Sequence, residues 1–211
     1  FTDVVARDPS GAIQIRKLLS ENPDQYVDAP LHAIRHFLGV EANGPIPANR
    51  IKSVKMGTTL ATNALLERKG VRVGLLITKG FKDLLHIAYQ DRPDLFALKI
   101  EKPTSLATAI HEIDERILAD GAIRTPVDET EIHNALQAFK ADGIDAVAVL
   151  FLNSYRNPCH EIATKRIAED LGFSQISLSH EIACEIKAVG RGDTTMVDAY
   201  LTPVMRDYVS R

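Results

Sequence analysis

Apolar and polar residues alternate along the N-terminal part of the chain with two periods, one typical of strands and one typical of helices. Residues 2–7 and 12–17 alternate residue by residue, and Asp8-Pro9-Ser10-Gly11 between them is a strong turn signal, so a β-hairpin is predicted. A helix is predicted from Pro23 to Gly39, because proline is favoured in a first helical turn and glycine directly after a last one.

The segment 51–78 has the order of a β-α-β unit. Residues 51–56 are a strand-like run, and Gly57-Thr58-Thr59 leads into a helix-forming stretch that Gly70 closes. Residues 71–78 then read as a buried strand. The length of the whole segment fits a crossover between two parallel strands.

The middle of the chain is less regular. A short helix is predicted around Leu84, after the Lys79-Gly80-Phe81 turn. Residues 109–118 fit both helical and strand spacing, and the Asp120-Gly121 turn that follows favours a hairpin. A clear helix is predicted over 128–143, where an aspartate and a glutamate three residues later make an N-terminal capping pattern.

The last part of the chain alternates between strands and helices. Strands are predicted at 145–152 and 176–179, and the segment 178–182 is expected to run from a strand into a loop. Helices are predicted at 157–172 and after Asp193, where Pro203 would kink or restart the second one. The alternation predicts an α/β fold with a largely parallel central sheet.

Composition and charge limit the partners and the cellular setting that can be expected for the chain. Of the 211 residues, 45% are hydrophobic and 25% charged, and the formal net charge of −3 gives no electrostatic reason to expect nucleic acid or an anionic membrane as partner. The longest apolar run, residues 146–152, is too short to cross a bilayer. Two cysteines and no signal-like segment favour a reduced, cytoplasmic setting.

Both ends of the sequence fall inside predicted secondary structure. The chain opens at Phe1 directly in a strand pattern and stops at Arg211 within a helical pattern. We therefore expect a piece of a longer protein.

The Gly57-Thr58-Thr59 turn is the leading candidate site. A glycine and two hydroxyls at a helix N-terminus, with Asn63 one turn later, offer free N–H groups and polar side chains to an anion or a polar ligand. In parallel sheets, ligands bind beside the carboxyl ends of the strands, which is where this turn is predicted. The simpler interpretation is that Thr58 or Thr59 only caps the helix, and the pattern leaves both open.

Other polar groups give weaker signals. Asp3 stands within the first predicted strand, as an edge residue or as a partner for magnesium or water. Residues 90–92 and 191–195 are further polar clusters. His32 and His36 are four residues apart but have no third metal ligand nearby, and the three His-Glu pairs lack the second histidine of a zinc-protease helix. Neither cysteine lies in an activating motif.

Several motifs resemble the hydantoinase A/5-oxoprolinase family over nearly the whole chain. The most specific is the run from Gly57 to Gly70. The other matching segments are 78–83, Arg92-Pro93, 153–158 with His160-Glu161, and 194–203.

The resemblance implies an actin-like, sugar-kinase-type ATPase architecture built from two related halves. Members open with Gly-Gly-Thr-Phe-Thr-Asp, a phosphate-binding hairpin of which this chain keeps Phe1-Thr2-Asp3. Residues 1–211 would then form the hydantoinase/oxoprolinase N-terminal domain, without the phosphate-loop glycines and without the second half. The isolated chain is therefore not expected to be active. The sequence also departs from many members at Met56, where they have histidine, and at Gly190.

By resemblance, the intact protein would be an ATP-dependent hydrolase, with Mg²⁺, that opens a cyclic amide or imide of the hydantoin, N-methylhydantoin or 5-oxoproline type by phosphorylating it. The alternatives are an ATP-using subunit of a ketone carboxylase, a non-catalytic scaffold or interface module, and a small-molecule kinase. Implied partners are the missing C-terminal half, a B-type subunit and further copies of the chain.

The resemblance and the motifs together assign roles to eight residues. Asp3, Thr58 and Asn63 are the candidate catalytic residues, and Asp3 would also bind Mg²⁺. The candidates for binding substrate or phosphate are Thr2, Gly57, Thr59, Arg92 and Arg191.

Overall fold

The computed structural model describes residues 1–20, 22–90, 96, 98–100 and 102–210. These form two compact units, residues 1–57 and residues 58–211. Arg92, one of the predicted anion contacts, lies outside the described residues.

The first unit begins with the predicted hairpin. Strands β1 (Thr2–Arg7) and β2 (Ile13–Leu18) pair antiparallel, with Val5 opposite Ile15. The Asp8 carboxylate closes the turn by accepting hydrogen bonds from the Ser10 hydroxyl at 2.6 Å and the Ala12 N–H at 3.0 Å. These bonds hold the pKa of Asp8 below its ordinary value.

Helix α1 (Ala29–Leu38) starts later than predicted. Asp28 caps it by accepting a hydrogen bond from the Leu31 N–H at 2.7 Å, whereas Pro23 lies in the turn closed by an isolated Asn22–Tyr26 bridge. The predicted end is confirmed, because Gly39 adopts the left-handed conformation that closes many helices. The buried side of α1 packs on Leu18 of the hairpin.

The predicted strand at 51–56 is wrong. These residues follow a 3₁₀ turn (Ala48–Arg50) and pair with no strand in the part of the chain that the structure describes. Val54 and Met56 are more than half exposed, so the run has neither a hydrogen-bonded neighbour nor an apolar surface to cover. The proposed β-α-β unit is in fact a helix followed by a strand.

The second unit contains the remaining elements. Its strands are β3 (Val73–Thr78), β4 (Ala107–Ile113), β5 (Arg116–Ile117), β6 (Ile123–Thr125), β7 (Ala146–Leu150) and β8 (Gln175–Leu178). Its helices are α2 (Leu60–Leu66), α3 (Leu84–Ile87), α4 (Glu129–Ala141), α5 (Cys159–Asp170), α6 (Ser179–Ile182) and α7 (Ala188–Val209).

The sheet of this unit confirms the predicted architecture. Its order is β4-β3-β7-β8, and every neighbouring pair is parallel. β3 and β7 are buried throughout, as expected for strands covered on both faces. One core surrounds Phe139 of α4, and the other surrounds Met196 and Tyr200 of α7.

Two boundaries near the C-terminus differ from prediction. β8 ends at Leu178, and the residues expected to form a loop make the one-turn helix α6. α7 begins at Ala188 rather than at Asp193 and contains Pro203 within its length. The β5–β6 pair confirms the hairpin predicted around Asp120-Gly121. Among the described residues, no helix combines the length and the apolarity needed to span a bilayer.

Candidate functional site

The Gly57–Asn63 segment is exposed to solvent. All four predicted site residues of this segment are exposed: Gly57, Thr58, Thr59 and Asn63. The Thr58 hydroxyl accepts a hydrogen bond from the N–H of Leu60, the first residue of α2, at 3.1 Å, whereas Thr59 at the N-cap position makes no side-chain capping bond. This local bond occupies one lone pair of Thr58, and ligand binding by these residues stays a prediction.

Thr2 and Asp3 lie on the hairpin of the first unit. The Thr2 hydroxyl is 3.0 Å from the Ser20 hydroxyl. The Asp3 carboxylate is 3.5 Å from Lys17 Nζ on the opposite strand, and both side chains are mostly exposed. The described residues hold no cluster of three or more His, Cys, Asp or Glu fit for a metal. An exposed carboxylate fits Mg²⁺ only where phosphate oxygens and water complete the shell.

Arg191 lies in the interior of the second unit. Its Nη2 donates to the Phe151 carbonyl at 2.7 Å and its Nη1 to the Glu185 carbonyl at 3.0 Å, while Nε has no partner among the described residues. Burial lowers its pKa, and the charge of Glu161 opposes that shift. Although predicted as an anion contact, Arg191 is fully buried and holds the turn that follows β7.

Glu161 holds the same turn from the opposite side. This fully buried carboxylate accepts hydrogen bonds from the Phe151 N–H at 3.0 Å, the Ser179 hydroxyl at 2.6 Å and the His180 N–H at 3.1 Å. His180 Nδ1 lies 2.6 Å from its second oxygen. Glu161 therefore ties the start of α5 to α6 and to the carboxyl end of β7.

A second buried carboxylate, Glu115, links the neighbouring strand ends. It accepts a short hydrogen bond from the Thr78 hydroxyl, and His160 Nδ1 lies 2.7 Å from its other oxygen. The Thr78 oxygen in turn accepts from the Leu152 N–H at 2.9 Å. The sequence analysis gave neither glutamate a role, although it singled out the His160-Glu161 pair as a family motif.

The second unit also contains a cleft of about 580 Å³. It lies among α2, α3, α7 and residues 102–106. Its apolar lining includes Leu65, Leu85, Leu106, Met196 and Val197. The polar residues along it include Arg68, Gln90 and Asp193.

Backbone strain is concentrated around this cleft. Four described non-glycine residues have a positive φ: Arg68 (56°), Ala88 (51°), Gln90 (60°) and Asn153 (59°). Three of the four, Arg68, Ala88 and Gln90, line the cleft. Each such residue costs about 1–3 kcal/mol, and strain of this kind is found preferentially at binding and catalytic sites.

Gly192 brings helix α7 close to the cleft floor. A Cβ at this position would lie 2.4 Å from a Leu150 methyl carbon and 2.6 Å from a Leu85 methyl carbon, so only glycine permits the approach. The next residue, Asp193, therefore reaches the cleft beside α3. Burial raises its pKa, and its carboxylate has no hydrogen-bond or ion-pair partner among the described residues. The sequence marked Gln90 and Asp193 as polar clusters but not the cleft that joins them.

The family comparison covers most of the chain. Residues 1–172 match the hydantoinase/oxoprolinase N-terminal region. The chain is 39% identical to 5-oxoprolinase 1 of Arabidopsis thaliana and 37% identical to 5-oxoprolinase of Saccharomyces cerevisiae, with all of this chain covered in both cases. It spans only 19% of the length of these relatives.

A bacterial relative and its structure give the same result. The chain is 36% identical to caprolactamase subunit alpha of Pseudomonas jessenii, of which it covers 31%. The crystal structure of the ATP-dependent caprolactamase from that organism superposes on the whole chain with a TM-score of 0.81 at 33% identity, again over 31% of the longer protein.

A more distant structure shares the fold alone. Nucleotide-free acetone carboxylase matches 70% of this chain and 23% of its own, with a TM-score of 0.60 and 22% identity. The resemblance predicted from the sequence motifs is confirmed by the chain-wide match and by the caprolactamase superposition. The chain belongs to the hydantoinase/oxoprolinase N-terminal region family.

Proposed function

We propose that this chain works within an ATP-dependent enzyme that hydrolyses a small cyclic amide. The observation that carries the proposal is identity of 36–39% across the full chain to two 5-oxoprolinases and to a caprolactamase alpha subunit. Both names denote enzymes acting on lactams, and the caprolactamase structure is described as ATP-dependent. The shared substrate class is therefore a ring amide, although the ring itself differs between the relatives.

The chemistry explains why ATP is needed. An amide carbon is a poor electrophile and its nitrogen a poor leaving group. Transfer of the γ-phosphoryl group to the amide oxygen releases ADP and makes the carbon open to attack by water. Cleavage of the C–N bond of this adduct, with protonation of the leaving nitrogen, leaves an acyl phosphate, and a second water hydrolyses it to the amino acid and inorganic phosphate. Such transfer depends on positioning and on electrostatic stabilisation, with Mg²⁺ neutralising charge on the phosphates.

We assign contacts with phosphate, Mg²⁺ and substrate to residues by their exposure and their side-chain chemistry. Thr2 and Asp3 offer an exposed hydroxyl and carboxylate for the phosphate and Mg²⁺. Gly57, Thr58, Thr59 and Asn63 would contact substrate or phosphate, which is supported by their exposure. Arg92 keeps its predicted role as an anion contact. We assign Arg191 an indirect role, through the Phe151 carbonyl, because its guanidinium is buried.

The partner proposals rest on the same comparison. A relative named as an alpha subunit supports a second, B-type subunit in the working enzyme. The actin-like architecture, a cytoplasmic location and self-association of the chain also remain proposals.

The test uses the full-length protein with its partner subunit. Substrate-dependent phosphate release is measured with 5-oxoproline, caprolactam, hydantoin, and acetone plus bicarbonate. We expect turnover of a lactam, and we expect the double variant Thr58→Ala/Asn63→Ala to lower it at least about tenfold, the effect of removing one or two polar contacts. Thr62→Ala, an exposed residue of the same helix, is the matched control.

Two outcomes would contradict these proposals. Unchanged turnover in the double variant would remove Thr58 and Asn63 from the site. Phosphate release with acetone plus bicarbonate, and none with any ring amide, would overturn the cyclic-amide assignment in favour of a carboxylase.

A further inference from the structure

We propose that the cleft between α2, α3 and α7 binds the amide ring of the substrate, with Asp193 accepting the hydrogen bond of the ring N–H. This inference rests on the proposed function, because it takes the substrate to be a lactam. The lining of the cleft includes the last residues of α2 but none of Gly57, Thr58, Thr59 and Asn63.

The size and the lining of the cleft suit a small ring. Its volume of about 580 Å³ lies within the range of small-molecule sites and leaves room for water beside a five- to seven-membered lactam. Leu65, Leu85 and Met196 supply apolar surface against which the methylene groups can pack. Sites of this kind combine mostly apolar walls with a few polar groups that fix orientation.

The polar groups of the cleft complement an amide. A lactam has one N–H donor and one carbonyl acceptor. The Asp193 carboxylate is an acceptor without a partner in the described residues, and the Gln90 side chain carries both an NH₂ donor and a carbonyl acceptor. Because Asp193 is exposed at the cleft and accepts no hydrogen bond from the described residues, it can accept a ligand N–H without breaking a bond of the fold.

Arg68 adds a charge that would distinguish between lactams. It lines the cleft directly after α2, in a left-handed conformation that fixes where its side chain departs from the backbone. A ring that carries a carboxylate, such as 5-oxoproline, can pair with this guanidinium. A neutral ring such as caprolactam cannot. The cleft therefore predicts a preference for carboxylated rings that depends on Arg68.

Lys102 lines the cleft and holds the backbone of its strained rim. Its Nζ donates to the His86 carbonyl at 2.7 Å and to the Ile87 carbonyl at 3.1 Å, so two of its three N–H groups are used at the end of α3. These bonds fix the backbone just before Ala88 and Gln90. Among the described residues that line the cleft, Arg68 and Asp193 are the charged side chains with no hydrogen bond to protein, and Lys102 keeps one N–H for a ligand.

The experiment compares steady-state kinetics and binding in the full-length enzyme. Asp193→Ala is expected to raise KM for 5-oxoproline and for caprolactam about tenfold, with kcat changed less than about threefold, because it removes a contact made equally in the ground state and in the transition state. Arg68→Gln is expected to raise KM for 5-oxoproline about tenfold and to leave KM for caprolactam within about twofold. Asp207→Ala, an exposed carboxylate on the same helix, is the matched control.

A third variant tests the cleft without changing a polar side chain. Val197→Trp places a large ring in the cleft, and we expect it to abolish lactam binding measured by calorimetry while thermal unfolding still shows a folded protein. Unchanged KM values in Asp193→Ala and Val197→Trp, in an enzyme that does hydrolyse lactams, would overturn the cleft assignment and leave the proposed function standing. A wild-type enzyme that neither binds nor hydrolyses either lactam would overturn both. If the wild-type enzyme binds a lactam without hydrolysing it, the proposed function is overturned, and lactam binding by Val197→Trp relative to wild type still tests the cleft.

Discussion

Glu161 and Asp193 are carboxylates of the same unit in opposite situations. Glu161 is fully buried and surrounded by donors from Phe151, Ser179 and His180. Asp193 is exposed at the cleft, and its carboxylate has no partner in the described part of the chain. The first carboxylate has its hydrogen-bonding capacity satisfied by the fold, and the second has capacity left for a ligand. Removing each should therefore affect different properties of the protein.

The largest expected effect is on stability at Glu161. Glu161→Ala leaves the Phe151 N–H buried without its acceptor and leaves the Ser179 hydroxyl with Ser154 alone, and we expect a loss of about 3–5 kcal/mol in unfolding free energy. Urea unfolding followed by circular dichroism measures it. Glu181→Ala is the matched control on α6, since its pair with Lys165 is surface-exposed and worth at most about 1 kcal/mol. Equal losses of unfolding free energy in the two variants would show that the buried hydrogen bonds of Glu161 stabilise the fold no more than an exposed ion pair does.

Arg191 should follow with a somewhat smaller loss. Arg191→Met keeps most of the volume but leaves the Phe151 and Glu185 carbonyls without their donor and Glu161 without a nearby positive charge. We expect about 2–4 kcal/mol of destabilisation in the same measurement. Arg166→Met, at an exposed position of α5, provides the control. A stable Arg191→Met protein would mean that water or the rest of the enzyme satisfies these groups.

The smallest effect on unfolding free energy is expected at Asp193, where the substitution should stabilise the fold instead of destabilising it. A carboxylate whose pKa is raised on folding destabilises the folded protein when ionised, and this penalty disappears as pH falls through the folded pKa. Asp193→Asn should therefore unfold at slightly higher urea than wild type at pH 7, with the difference vanishing in acid. Unfolding midpoints from pH 7 to about pH 3 test this. A variant less stable than wild type at pH 7 would reveal a partner for Asp193 and weaken the cleft proposal.

Local sequence patterns were sufficient for much of the fold. The hairpin, the α4 cap at Asp128 and the parallel sheet follow from alternation, capping residues and apolar runs, all of which act within a few residues. The strand predicted at 51–56 failed because a strand also needs a hydrogen-bonded neighbour, and no local pattern supplies that information. The start of α7 was missed for a related reason, since the residues before Asp193 gain helical structure by packing.

The candidate site was predictable only in part. The sequence identified the Gly57–Asn63 turn and the polar residues Gln90 and Asp193, which the structure leaves exposed. It gave no indication that Glu115 would meet Thr78, because 37 residues separate them along the chain. It also gave no indication that Arg191, a candidate anion contact, would be fully buried.

Two successive peptide groups meet at Phe151, and each contacts one of two opposite charges. The N–H of the first donates to the carboxylate of Glu161, and the carbonyl of the second accepts from the guanidinium of Arg191, so each charge has a backbone partner at this turn. Dissolved ions screen exposed pairs such as Lys79–Asp114, but they do not reach charges enclosed by protein. This turn at the carboxyl end of the sheet should consequently keep its shape across changes in ionic strength that weaken the surface around it.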